Sequence, residues 1–149
     1  MHNIRVTKIF RFEMAHALDG HDGPCRHLHG HSYVLEVCLL GRPNTDSASP
    51  KQGMVVDFAD FKHLVNSLIV SRFDHTVAVR QGSATHLHLE AEAFERLLPL
   101  PFQPTCENLL AHFADLIAPA LPQGVSLHHL RLHETASAFA EWYASDNPT

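Results

Sequence analysis

Three histidines and a cysteine fall within the stretch Cys25-Arg-His-Leu-His-Gly-His31. His29 and His31 alternate at the mouth of an extended run, so their side chains share one side, with Cα atoms ~7 Å apart. Two imidazoles at that spacing can converge on one ion through bonds of about 2.0–2.1 Å. Gly30 between them leaves the opposite side uncrowded. A third ligand is available in His16, which closes the preceding alternating run on its apolar parity. If the two runs pair as antiparallel strands, the end of the first lies beside the start of the second, with 17–28 closing the gap. Three neutral imidazoles would then hold a tetrahedral Zn2+ with one open position, the arrangement of a catalytic site. His27 has the same parity as His29 and His31 but stands ~13 Å from His31 on a straight strand. His21 is a loop alternative, and periodicity excludes neither. The competing reading makes all of these ordinary surface or satisfied core histidines.

A thiol beside a cation ionises more easily and can serve as base or nucleophile, which marks Cys25. It could also be an inert buried cysteine, or a fourth ligand that closes the metal site. Cys38 lies within a strand and reads as core. Cys106 falls in the first turn of a helix, where the helix dipole favours a thiolate, and it is the rival of Cys25.

The elements that must place these groups are legible in part. Residues 4–16 alternate, with Ile4, Val6, Phe10, Phe12 and Met14 against Arg5, Thr7, Arg11 and Glu13. A loop follows at 18–25, then a second strand at 31–41 and a polar connection at 42–53. A helix is expected at about 59–71 on the stripe Phe61, Leu64, Val65 and Leu68, capped by Asp57 or Asp60. Residues 73–103 are the least readable, with a short helix expected near 90–98. Residues 104–121 read as a helix started by Pro104 and Thr105, burying Leu109, Phe113, Leu116 and Ile117. Two strands joined around Ala136 finish the chain. Strand pairs at both ends with helices between predict an antiparallel α+β sandwich.

At 149 residues the chain is expected to form one domain over 1–149. A formal net charge of −5 and the lack of a Lys/Arg run argue against a nucleic-acid partner. No apolar run approaches a membrane span and the N-terminus lacks an apolar signal core, so a soluble cytoplasmic protein without membrane partners is expected. Three separated cysteines make a disulfide scaffold improbable, and fourteen histidines are the compositional anomaly.

Six separated segments together resemble the 6-pyruvoyl-tetrahydropterin and 6-carboxytetrahydropterin synthase family. They are FEMAH (12–16), CRHLHGH (25–31), GMVVDFADFK (53–62), FDH (73–75), PTCEN (104–108) and HET (133–135). The resemblance runs nearly end to end. It departs at Met14, at Ala78-Val79, and in a segment 80–103 longer than the family pattern. It implies a tunnelling fold: a four-stranded antiparallel sheet with two helices on one face, oligomerising into a β-barrel, commonly as a hexamer built from two trimers. It also implies zinc on His16, His29 and His31, a base system of Cys25, Asp74 and His75, and pterin anchoring by Glu134 with substrate contacts at Thr105 and Glu107. Glu134 has the strand parity of Leu130 and Leu132, so its carboxylate faces an apolar side. The paired N–H donors of an aminopyrimidinone ring would satisfy it there; the plainer alternative is an edge-strand salt bridge. For Asp74–His75 the plainer alternative is a helix-end turn.

The three-residue spacing from Cys25 to His29 is similar to that of the 6-carboxytetrahydropterin branch of queuosine synthesis. That branch acts on 7,8-dihydroneopterin triphosphate, releasing acetaldehyde and triphosphate. Two alternatives remain. A pyruvoyl-type synthase would eliminate only triphosphate. A non-catalytic histidine-rich zinc protein would also recruit several of His86, His88, His128, His129 and His133.

Overall fold

Alternation of apolar and polar side chains makes the residues after Asn3 one long strand, β1 (Ile4–His16), in the computed structural model, which describes residues 2–148. β2 (His29–Gly41) runs back along all of it, from Ile4 opposite Gly41 to His16 opposite His29. It starts two residues earlier than the sequence pattern suggests, because His29 already pairs with His16. β5 (Val125–His133) and β6 (Phe139–Tyr143) extend the antiparallel sheet beyond β2. A bulge between Cys38 and Leu39 shifts the β2–β5 register, Cys38 pairing His129 and Leu39 pairing Leu127.

The expected four-stranded antiparallel sheet is therefore present but incomplete. Among the described residues the sheet has six strands in the order β4-β3-β1-β2-β5-β6 and is mixed. β3 (Thr76–Arg80) lies parallel to the last residues of β1, and β4 (Leu97–Leu100) parallel to β3. Parallel neighbours need a crossover, and α3 (Ala84–Ala91), capped by the Ser83 hydroxyl, supplies it. This corrects the helix expected near 90–98: that helix lies earlier, and part of its range is β4. Five residues, TVAVR, carry too little periodicity to distinguish a buried strand from a helix fragment.

One face of the sheet carries the core. Tyr33, Leu35, Val37 and Leu39 alternate inward from β2, and Phe10, Phe12 and Met14 from β1. Onto them pack a long helical run and α4 (Cys106–Ile117). The run begins as α1 (Phe58–Val65), with Asp57 accepting from the Ala59 N–H. It widens into a π turn (Asn66–Val70) and ends as α2 (Ser71–Phe73). The extra residue in the π turn rotates the buried stripe. Phe61, Val65, Ile69 and Phe73 are sealed, whereas the expected Leu64 and Leu68 are only half-buried. On α4, Leu109, Phe113 and Ile117 are buried as the spacing predicts, and Leu116 is half-buried. An aromatic cluster locks these helices to the sheet: Phe12 stacks on Tyr33 at 5.1 Å and meets Phe113 edge-on at 6.2 Å, while Phe73 meets Phe113 at 4.9 Å. Each such ring stabilises the fold by roughly 1.5–3 kcal/mol through burial. The cluster underlies the β1–β2 end where the histidines sit.

Candidate functional site

Strand pairing does what the histidine spacing asked of it. His16 stands opposite His29, and Met14 opposite His31. One ligand nitrogen from each of the three rings falls within 4.8 Å of the others, and among the described residues this is the one such His/Cys/Asp/Glu group. His16 is buried, and His29 and His31 are half-buried.

The ring orientations are set from behind. His16 Nδ1 lies 2.7 Å from the Pro104 carbonyl, and His29 Nδ1 lies 2.7 Å from the His27 carbonyl. A carbonyl only accepts, so each Nδ1 carries the proton and donates it, leaving Nε2 as a lone pair. Those two Nε2 atoms are 3.1 Å apart. Two lone pairs at that distance repel unless a cation lies between them. Tetrahedral zinc at 2.0–2.1 Å from each nitrogen would set them about 3.3 Å apart. His31 Nε2 is buried and makes no hydrogen bond. Burial also lowers the pKa of His16 and His31, which favours the neutral, metal-ligating form. The three residues fit a metal ion, and carbonyl-held ring N–H groups are the usual outer support of such ligands.

His27 and His21 stand outside the cluster. His27 contributes only its carbonyl, and His21 Nδ1 accepts the Gly23 N–H at 2.8 Å. Cys25 sits in a 3₁₀ turn, Pro24–Arg26, half-buried, with its carbonyl held by the Leu18 N–H at 2.9 Å. It is not part of the metal-ligating group, so the site is not closed by sulfur. Cys38 is buried. The dipole expectation for Cys106 is reversed. Its thiol donates to the Leu132 carbonyl at 3.2 Å, and burial pushes it up to about 11.

Glu134 follows β5 on the inward parity, and its Oε1 lies 3.6 Å from His31 Nε2. That exceeds hydrogen-bond reach, and the carboxylate accepts no hydrogen bond among the described residues. It lines a cavity of about 330 Å3 with Thr105, Cys106, Glu107 and Phe139. Thr105 and Glu107 are thus brought to Glu134, although Thr105 also caps α4 by accepting the Asn108 N–H.

Asp74 and His75 form a dyad at the end of α2. His75 Nδ1 lies 2.9 Å from Asp74 Oδ1, which also accepts the Glu13 N–H at 2.9 Å. That N–H, with the imidazole beside it, holds the Asp74 carboxyl below its usual range. His75 has a φ of +57°, a left-handed conformation uncommon for a residue with a Cβ. Its N–H donates to the Glu13 carbonyl at 2.6 Å. The ring is largely exposed. No hydrogen bond joins Cys25 to this pair among the described residues. Sequence reasoning missed the roles of Pro104, His27 and Glu13, because the backbone atoms they contribute leave no side-chain signal.

The sequence profile of the 6-pyruvoyl tetrahydropterin synthase family matches residues 5–145. The chain belongs to that family. Within it, the chain is 32% identical to the 6-carboxy-5,6,7,8-tetrahydropterin synthase of Haemophilus influenzae over 142 residues, 93% of this chain and 97% of the relative. It is 33% identical to the Rickettsia bellii protein of the same name, covering 93% and 99%. The tetrahydropterin synthase fold is borne out by solved structures. Caenorhabditis elegans 6-pyruvoyl tetrahydropterin synthase superposes with a TM-score of 0.67 at 22% identity, covering 96% of each chain. The Plasmodium vivax enzyme gives 0.70 at 18%, covering 95% and 98%. Of the remaining histidines, His86 accepts the Gly82 N–H, His129 meets Glu141 and His133 meets Glu36, whereas His128 Nδ1 is buried without a hydrogen bond. Among the described residues none of these histidines joins a second group of ligands close enough to hold a metal ion. No helix among the described residues is long and apolar enough to cross a membrane.

Proposed function

We propose that this chain is a zinc-dependent lyase that converts 7,8-dihydroneopterin triphosphate to 6-carboxy-5,6,7,8-tetrahydropterin, releasing acetaldehyde and triphosphate. The observation that carries the reading is the pair of Nε2 lone pairs 3.1 Å apart, both rings oriented by backbone carbonyls, with a carboxylate free of hydrogen bonds beside the third ring. The names of the relatives and the three-residue spacing between Cys25 and His29 favour the carboxy product over the pyruvoyl one.

His16, His29 and His31 would hold the metal. Zinc, when bound, polarises hydroxyl oxygens of the substrate side chain and eases loss of protons from the carbons that bear them. Glu134 holds the pterin ring, since a carboxylate at the rim of a half-buried cavity is best satisfied by two adjacent N–H donors. Thr105 and Glu107 complete that cavity. The Cys25 thiolate serves as base, and His75 Nε2 accepts or returns a proton while Asp74 fixes its tautomer. The open edges of β1 and β6 support a homo-oligomer that closes the sheet into a barrel, a hexamer by the family pattern, acting in the cytoplasm in the pathway to 7-deazaguanine and queuosine.

The test is turnover of 7,8-dihydroneopterin triphosphate by the zinc-loaded chain, with product mass and acetaldehyde measured together. Acetaldehyde equal to triphosphate, one zinc per chain, and loss of turnover in Cys25→Ala support the assignment. Triphosphate without acetaldehyde makes the chain a pyruvoyl-type synthase. One bound zinc with no turnover rules out the lyase reading.

A further inference from the structure

The insert between β3 and β4, residues 81–96 with α3 inside it, has a use that the site chemistry does not absorb. Its N-terminal end is hydrogen-bonded within itself: the Ser83 hydroxyl accepts the His86 N–H at 3.1 Å and His86 Nδ1 accepts the Gly82 N–H at 2.9 Å, with both side chains buried. From this end Thr85 reaches the loop after β1. Its Oγ1–H donates to Asp19 Oδ1 at 2.5 Å and its N–H to Asp19 Oδ2 at 3.2 Å. Gln103 adds a third tie, its Nε2 donating to the Asp19 carbonyl at 2.9 Å. The neighbouring Leu18 donates its N–H to the Cys25 carbonyl at 2.9 Å, so fixing Asp19 fixes one end of the ring that contains the thiol. The loop forms local turns of its own, the His21 N–H donating to the Leu18 carbonyl at 3.1 Å and the Gly23 N–H to His21 Nδ1 at 2.8 Å, so the ties at Asp19 fix where that loop sits against the rest of the chain.

At its other end the insert reaches the dyad. The Arg96 guanidinium donates to the Asp74 carbonyl at 2.9 Å, and the Arg96 carbonyl accepts the Val77 N–H at 2.9 Å. The peptide unit leading into left-handed His75 is thus clamped from the insert.

We propose that Thr85 and Arg96 are positioning residues, and that the insert 81–96 is a brace setting the Cys25 loop through Asp19 and the Asp74–His75 turn through the Asp74 carbonyl. The inference rests on the functional reading above for its effect on turnover, but its effect on loop order stands apart from it.

The test uses the full-length zinc-loaded chain with Thr85→Val, Thr85→Ser and Arg96→Met. In Thr85→Val, amide exchange across 17–28 should quicken about tenfold while 74–76 stays as in the wild type. Alkylation of Cys25 by iodoacetamide, read by peptide mass, should quicken about threefold as the loop opens. The kcat should fall about tenfold with KM and zinc content within about twofold, the split expected when geometry rather than binding is lost. Thr85→Ser should restore all three. Arg96→Met should give the mirror image, with faster exchange at 74–76, lower kcat and unchanged Cys25 alkylation. Unchanged exchange in Thr85→Val, no rescue by Thr85→Ser, or loosening of both segments by both variants would overturn the brace. If the wild type does not turn over the pterin triphosphate, the lyase assignment falls, and the exchange and alkylation results still decide the brace.

Discussion

At the scale of single residues, the site depends on which nitrogen of each ring carries its proton. Pro104 and His27 decide this for His16 and His29 through carbonyls 2.7 Å away. Removing one imidazole should therefore cost more than disturbing its support. His29→Ala should weaken zinc binding by more than the roughly 10–100-fold typical of losing an outer partner, which competition with a chromophoric chelator would measure. Glu134→Gln separates holding substrate from holding metal. Zinc content should stay at the wild-type level, whereas the KM for the pterin triphosphate should rise about 10–100-fold as one or two charge-assisted hydrogen bonds weaken. A fall in zinc with unchanged KM would assign the carboxylate to His31 instead.

At the scale of elements, α4 is pinned at its start by Thr105, which also borders the cavity. Thr105→Ala should lower stability in urea by about 1 kcal/mol through loss of the cap, and Thr105→Ser should retain most of it. Further along the helix, His112 lies among Phe73, Phe102 and Phe113 with its Nε2 buried and unpaired. Burial, and then the nearby Arg72, lower its pKa against a smaller opposing effect of Asp115. The neutral ring is thus favoured in the folded state. Its contribution to stability is complete above the ordinary value near 6.5 and is lost as pH falls through the depressed folded value. His112→Phe should flatten the decline of Tm below pH 6.5 without changing its value's trend above it. Parallel curves for the two proteins would place the acid sensitivity elsewhere.

At the scale of the whole molecule, the sheet leaves most of the outer side of β1 without a partner strand among the described residues. β1 from Ile4 to Phe12 has no strand on its outer side among the described residues, because β3 pairs only from Met14 to His16. β6 is a terminal strand of the sheet, as β4 is on the opposite side. Unpaired edges of this length favour association with another strand, and Ile4 and Ile9 are exposed along β1. Sedimentation equilibrium at micromolar concentration should give a mass several times the 16.6 kDa of the chain. A monomer under those conditions would contradict the barrel.

The sequence by itself determined both bounds of β1, the inward parity of His16, His29 and His31, the cap and core stripe of α4, and the inward turn of Glu134. Each is a matter of local alternation or of a 3.6-residue repeat, which near neighbours express without help from the rest of the chain. Only the tertiary structure decided that Thr76–Arg80 and Leu97–Leu100 join the sheet in parallel. It alone set the π turn that shifts the helical stripe to Ile69 and Phe73, and the protonated state of Cys106 under the Leu132 carbonyl. Those outcomes arise between segments far apart in the chain, where burial and backbone partners are fixed by packing. No local pattern of side chains encodes which carbonyl will stand behind which ring.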